Sequence, residues 1–237
     1  MEQMASTGGG PFRTVVFDLD GTLVDSLADV AGAANDVLAA AGLRPVPRSK
    51  WPLLLGEGVR IRMRTAFALN AVTLEDEALD RQVAAFRARY ADKMLERTRP
   101  YDGVAETLAA LGDLGVISVV CTNKDEADAR RILRALGLMP HIANVAGPDT
   151  FGVQKPDPQH ILKLLEAAGA DPGAAIMVGD TIHDVEAARR AGLPVAFASW
   201  GYGTPGDERP DYVVPRMKDL QRILSELPNR REYLRSP

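Results

Sequence analysis

The chain is short of several things, and each shortage closes off a class of function. It has 1 cysteine, Cys121, in 237 residues. A lone thiol cannot form an internal disulfide, so a disulfide-stapled scaffold is excluded and a reducing cytoplasm is the expected setting. Histidines number 3, with no His or Cys cluster at zinc-site spacing. Basic charge is not in excess: 28 Lys and Arg against 32 Asp and Glu leave a net charge of −4. There is then no basic field to hold a nucleic-acid backbone or an anionic membrane. No run approaches the ~18 apolar residues of a membrane span. The first residues, MEQMASTGGGPFR, lack the apolar core of a secretory signal and read as a flexible segment over 1–13. The Gly-Lys-Ser/Thr sequence of a P-loop is also missing.

What is present is the material of an ordinary globular fold. Hydrophobic residues make up 46% of the chain. A chain of this length buries roughly 70% of its unfolded surface and forms one large domain or two small ones. Apolar runs at Thr14–Leu19, Val116–Cys121, Ile142–Ala146, Ala174–Val178, Pro194–Ala198 and Tyr212–Val214 read as strands. Most are rich in Val, Ile or Ala without alternation, the pattern of strands covered on both faces. Helical patterns separate the later runs, with Val104, Leu108, Leu111 and Leu114 as the first example. These segments end near Gly115, Gly137, Gly169 and Gly192, where glycine supplies a left-handed cap. The rhythm predicts an α/β fold with a Rossmann-like parallel sheet.

One interval breaks the rhythm. Between Ser26 and Thr98 only helical patterns occur, over Leu27–Ala41, Val59–Leu69 and Ala78–Leu95. That is too much helix for a simple crossover. The expectation is an inserted all-helical domain over 26–98, with 14–25 and 99–237 as the core. Hinges fall near Asp25–Leu27 and Arg99–Gly103, and Pro45, Pro47 and Pro52 divide the insert.

Two acidic segments carry the chemistry. In Asp18-Leu19-Asp20-Gly21-Thr22, two carboxylates end an apolar strand and lead into a turn. Two apart on a strand, they share a face and repel unless a cation or a proton relieves them. A plain Asp-Gly turn is the alternative, and the whole DxDGT pattern weighs against it. In Gly179-Asp180-Thr181-Ile182-His183-Asp184, Asp180 ends another strand and Asp184 enters a helix, where capping is the alternative role. Thr122 and Asn123 end the second predicted strand and are expected to cap the next helix as well. Lys155 sits before Pro156. Parallel strands bring these carboxyl ends to one edge of the sheet, where open α/β sheets bind ligands. The grouped oxygens suit Mg2+.

These motifs together resemble the haloacid-dehalogenase superfamily of phosphotransferases, in the branch with a helical cap after the first strand. DLDGT, Thr122, Lys155 and GDTIHD occur in the family's order, over about Thr14 to Leu227. The resemblance implies that Asp18 is the nucleophile and Asp20 the general acid/base. Thr122, Asn123 and Lys155 would hold the phosphoryl group. Mg2+ would be bound by Asp18, Asp180 and the Asp20 carbonyl, with Asp184 in support. Dehalogenases in the superfamily lack the second aspartate, so Asp20 speaks for phosphate chemistry.

Leu55-Gly56-Glu57-Gly58-Val59-Arg60, Thr122-Asn123-Lys124 and Trp200-Gly201-Tyr202-Gly203 are similar to phosphoglycolate phosphatases. The resemblance therefore implies a small phosphate ester as partner, 2-phosphoglycolate first. A β-phosphoglucomutase-like mutase, a pyrophosphatase and a broad sugar-phosphate phosphatase are the alternatives. Gly56 and Arg60 are the cap residues expected to meet a substrate carboxylate; arginines spaced two apart, as Arg60, Arg62 and Arg64 are, cannot all face one pocket. A signalling receiver domain also gathers acids, Thr and Lys at a sheet edge, but it is shorter and has no helical insert. A non-catalytic phospho-ligand binding module is the remaining contrast, set against the complete motif set. A monomer and a homodimer are equally compatible with the sequence.

Overall fold

The structure is a computed structural model that describes residues 12–226. Most of the expected flexible lead-in lies outside that range, but its last two residues are tied to the fold, Phe12 by its side chain and Arg13 by its backbone. Phe12 is buried. Arg13 donates its N–H to the Ala174 carbonyl (2.8 Å) and accepts from the Ile117 N–H (2.9 Å). Backbone pairing with both neighbouring strands thus begins before Thr14.

In chain order, β1 (Thr14–Phe17) and the short β2 (Val24–Asp25) precede α1 (Leu27–Ala40), α2 (Pro52–Leu55), α3 (Gly58–Ala68) and α4 (Asp76–Lys93). Then come β3 (Arg99–Pro100), α5 (Val104–Asp113), β4 (Ile117–Cys121), α6 (Glu126–Ala135) and β5 (Asn144–Ala146). The chain continues through α7 (Pro148–Phe151), α8 (Pro158–Ala167), β6 (Ala175–Gly179), α9 (Ile182–Arg190), β7 (Val195–Ala198), β8 (Tyr212–Val214) and α10 (Leu220–Glu226).

The main sheet has 6 strands in the order β5-β4-β1-β6-β7-β8, and every pairing in it is parallel. Side chains alternate across it, as a period of two requires. Val15 and Phe17 join Leu108, Ile132 and Leu133 on one face, while Val16 joins Ile161, Leu164 and Val185 on the other. Both faces are covered by helices, which explains why the strands read as unbroken apolar runs. The glycines at 115, 137, 169 and 192 all have positive φ, between 64° and 73°. Each ends its helix in the left-handed conformation expected of it.

β1 is the centre of the sheet. The chain first builds outward on one side through β4 and β5, then crosses to build β6, β7 and β8 on the other. The reversal of direction falls beside β1, so the loop after β1 opens into the crevice between the ends of β4 and β6.

The segment between β2 and β3 is helical, as expected. Its interior is built around fully buried Trp51, whose indole N–H donates to the Val46 carbonyl (3.0 Å). Asn35 holds the same residue from α1, accepting from the Val46 N–H at 2.8 Å. One feature is not legible in the sequence pattern: β2 and β3 pair antiparallel, Val24 with Pro100 and Asp25 with Arg99. Two residues per strand carry no periodic signal, so both segments read as hinges. Asp29, buried in the first turn of α1, accepts from the N–H groups of Arg97 and Thr98 and from the Thr98 hydroxyl (2.7–3.1 Å). The two ends of the insert are thereby tied together at its base.

Candidate active site

β1 ends at Phe17, two residues earlier than the apolar run. The chain then turns through Gly21, where φ is +91° and the N–H donates to the Val24 carbonyl at 2.9 Å. The turn separates the two aspartates that a longer strand would have kept on one face. Each has its own lysine. Lys155 Nζ lies 2.8 Å from Asp18 Oδ1, and Lys124 Nζ lies 3.1 Å from Asp20 Oδ2. Each of the two acids therefore has a cation of its own beside it.

Asp18, Asp180 and Asp184 are buried, and each offers a carboxylate oxygen within 4.8 Å of the others. Asp180, just after β6, accepts from the Thr22 hydroxyl (2.9 Å) and the Tyr202 N–H (2.8 Å). Asp184, in the first turn of α9, accepts from the N–H (3.0 Å) and hydroxyl (2.8 Å) of Thr181 and from Lys155 Nζ (2.6 Å). It both caps the helix and closes the acid group, so the two readings of this residue are compatible. Backbone presses closely on these carboxylates. A Cβ on Gly201 would stand 2.2 Å from the Asp180 side chain, and one on Gly179 would stand 2.3 Å from that of Asp184.

Burial pushes the Asp18 carboxyl up to about 7 from its ordinary 3.8, with Lys155 opposing and Asp184 adding to the rise. Burial, then the charges of Asp18 and Asp184, push Asp180 up to about 8. Three carboxylates facing one ammonium leave two negative charges, and with protons alone the acids must remain partly neutral. An all-oxygen, buried, doubly negative cluster fits a hard divalent cation. The Asp20 side chain is not part of it: Asp20 accepts from the Ser26 hydroxyl on one oxygen and faces Lys124 on the other.

Thr122, after β4, and Lys155 line one cavity with Asp18 and Asp20. Its atom-free space is about 290 Å3. Asn123 does not cap α6, contrary to expectation. Its amide donates to the Gly56 and Lys155 carbonyls and accepts from the Lys155 N–H, all at 2.9 Å. The first N–H of α6, from Glu126, is met by Asp149 (2.9 Å). Thr122 Oγ1 accepts from the Lys124 N–H (3.2 Å) and makes no bond to α6.

Leu55 and Gly56 of the insert form the wall opposite the sheet. Gly56 belongs there for a steric reason: a Cβ would stand 2.8 Å from the His183 ring. His183 also meets Glu57, with Nε2 3.3 Å from Oε1. Arg60 is not brought to the cavity. Its guanidinium is held by Asp76 (2.8 Å) and Asp80 of α4, on an exposed flank. Among the three alternating arginines, Arg62 is the buried one, and it donates to the carbonyls of Leu54 (3.3 Å) and Leu55 (3.1 Å). Helical spacing places Arg60 and Arg62 on different faces, and only packing against α4 decides which face is inward.

The model of the haloacid dehalogenase-like hydrolase family matches residues 12–192, from just before β1 to just after α9. The chain belongs to the haloacid dehalogenase-like hydrolases. Within that family it is a phosphatase, a phosphoric monoester hydrolase. It is 42% identical over 213 residues to the phosphoglycolate phosphatase of Agrobacterium fabrum, covering 89% of this chain and 91% of that one. The phosphoglycolate phosphatase of Aquifex aeolicus is 37% identical over 90% of this chain and 96% of its own. Among solved structures, a predicted phosphoglycolate phosphatase from Haemophilus somnus superposes with a TM-score of 0.83 at 29% identity, over 90% of this chain and 98% of that one. Haloacid dehalogenase-like phosphatases generally use a divalent metal, in keeping with the acid group. No helix among the described residues is long and apolar enough to cross a membrane.

Proposed function

We propose that this phosphatase hydrolyses 2-phosphoglycolate with Mg2+, through a phosphoryl group carried on Asp18. The observation that carries the reading is the placement of Asp18, buried at the central strand end, between Lys155 and the other two acids and in one cavity with Asp20 and Thr122. Asp18, Asp180 and Asp184 would hold the Mg2+, with the Asp20 carbonyl. When bound, the ion supplies the charge that keeps the carboxylates ionised and that offsets the phosphoryl oxygens.

Lys155 holds Asp18 Oδ1 and leaves Oδ2 to attack phosphorus. Lys155 and Thr122, with Asn123 setting the Lys155 backbone, neutralise and orient the phosphoryl oxygens. As the bond between phosphorus and the ester oxygen breaks, Asp20 gives that oxygen a proton. Asp20 then takes a proton from water, which attacks the acyl phosphate and restores Asp18 with release of phosphate. Residues 26–98 serve as a cap over this edge, with 14–25 and 99–237 as the catalytic core. The narrow cavity favours a small ester, and relatives named for phosphoglycolate support this choice. The buried Cys121 suits a cytoplasmic setting.

The test is steady-state kinetics on a panel of phosphate esters, with Mg2+ and with chelator, for the wild type and Asp18→Asn. The expected result is Mg2+-dependent turnover with 2-phosphoglycolate preferred, abolished in a folded Asp18→Asn protein. Preference for a hexose phosphate overturns the substrate, and an active Asp18→Asn overturns the mechanism. Asp20→Asn is expected to lose about 10²–10⁴-fold, the usual worth of a positioned acid/base.

A further inference from the structure

The mechanism accounts for one of the two buried lysines of the cavity. Lys155 faces Asp18 and Asp184, where the phosphoryl group is held. Lys124 is equally committed to the interior but serves no step so far. It is only 9% exposed and lines the cavity on the side of Asp20. Its Nζ lies 3.1 Å from Asp20 Oδ2, donates to the Tyr90 hydroxyl at 2.7 Å, and stands 4.4 Å from the centre of the Tyr90 ring. An ammonium has three donors, and these contacts take two.

The surroundings hold that cation in place. Tyr90 stacks on Phe86 at 5.5 Å with the rings 10° from parallel, and the Arg62 guanidinium lies 5.7 Å from the Phe86 ring centre. Arg62 gives two of its donors to the Leu54 and Leu55 carbonyls, so it fixes the wall loop and adds positive charge, but it does not line the cavity of Asp18 and Asp20. Two buried cations, Lys124 and Arg62, therefore lie near the Asp20 carboxylate, and only Lys124 touches it. Of the acids in the adjoining cavity, Asp125 is paired with Arg87 at 2.8 Å, and Asp128 is half-buried and lies within the influence of the Lys124 charge. The acid group around Asp18 lacks positive charge; along the seam between insert and sheet, Lys124, Arg62 and Arg87 offset Asp20, Asp125 and Asp128.

Position then selects the ligand. Asp20 protonates the ester oxygen of the leaving group, so whatever that oxygen is attached to lies beside Asp20. We propose that Lys124, steadied by Tyr90, binds the carboxylate of the substrate's leaving group and is the residue that selects an anionic substrate. This rests on the phosphatase reading above and assigns to Lys124 the carboxylate-binding role expected of Arg60. One carbon separates the ester oxygen from the carboxylate of 2-phosphoglycolate, which keeps the anion next to Asp20 and within the reach of Lys124. A neutral leaving group gains nothing from this cation.

The experiment compares kcat/KM for 2-phosphoglycolate and for its uncharged amide, 2-phosphoglycolamide, in the wild type, Lys124→Met and Tyr90→Phe. Both substrates suffer if Lys124 only orders Asp20, so the ratio of the two is the readout. The wild type is expected to prefer the carboxylate, and Lys124→Met to lower that preference by about 10- to 100-fold, the range for a charged hydrogen bond removed from a buried site. Tyr90→Phe keeps the ammonium and removes its partner, and a drop of several-fold in the same ratio is expected. It also carries the test if Lys124→Met does not fold. A preference unchanged in either folded variant overturns the proposal and leaves the phosphoglycolate reading intact. A wild type that turns over both substrates equally well also overturns it, and one that turns over neither overturns both.

Discussion

At the scale of single residues, the site is governed by how buried charges are paired. Asp18 and Asp20 are two apart in sequence yet answer to different lysines, because the strand stops at Phe17 and the turn sends them apart. His160 shows the opposite situation. It is fully buried on α8, where its ring nitrogens make no well-formed hydrogen bond and have only the Gly147 and Ala146 carbonyls nearby. Burial, followed by the Lys155 cation, pulls its pKa down to about 4 from 6.5, with the Gly147 and Ala146 carbonyls opposing. The unfolded chain takes up a proton here below about pH 6.5, and the native protein does so only near pH 4. Stability is therefore lost as pH falls through this window. The shift corresponds to about 3 kcal/mol at most. Urea unfolding of the wild type and His160→Leu at pH 7 and pH 5 checks this. The wild type should lose more stability than the variant on acidification, and equal losses would show that His160 titrates normally.

At the scale of elements, the loops after strands do the positioning, and glycine lets them close. The segment after β7 illustrates this. The Trp200 indole N–H donates to the Thr22 carbonyl (3.0 Å). The Tyr202 hydroxyl donates to Asp25 (2.6 Å) and accepts from the Ser26 and Leu27 N–H groups (2.7 and 3.1 Å). One loop thus touches the acid group, the turn after β1 and the hinge. Gly201 lies between those two aromatics, where a Cβ would overlap Asp180. Gly201→Ala is expected to displace Asp180 and raise the Mg2+ concentration needed for half-maximal activity. Gly112, inside α5, has nothing within 4 Å of an added Cβ. Gly112→Ala should leave the Mg2+ requirement unchanged and stabilise the fold by about 0.5–1 kcal/mol, through helix propensity alone. Mg2+ titrations and melting curves of the two variants separate a steric effect at the site from a generic effect of added methyl groups.

At the scale of the whole molecule, folding forces three carboxylates together, and a counter-charge must offset that. Asp18 and Asp180, raised to about 7 and about 8, hold protons in the native state that the unfolded chain releases near pH 4. The metal-free protein should therefore lose stability as pH rises from about 4 to 8, which is the reverse of the His160 contribution. Mg2+ competes with those protons, so its stabilising effect grows over the same range. Melting temperatures with and without Mg2+ at pH 5, 6.5 and 8 should diverge as pH increases. A constant difference would place the ion elsewhere.

The six strands of the main sheet, the helical nature of 26–98 and the grouping of Asp18, Thr122, Lys155 and Asp180 were legible in the sequence. Apolar runs, helical spacing and glycine caps are local signals, and a parallel sheet brings all strand ends to one edge whatever the details. Tertiary structure decided the rest. The β2–β3 ribbon is too short to carry a period. Asn123 turned from a capping role to bridging Gly56 and Lys155. Arg60 and Arg62 are indistinguishable as letters, and only the position of α4, with Asp76 and Asp80 for one and Phe86 for the other, sends Arg60 outward and Arg62 inward. Lys124 and Tyr90 are 34 residues apart and meet only when the insert lies over the sheet edge. Periodicity reports which face of an element is buried; which residue it is buried against depends on contacts between distant segments.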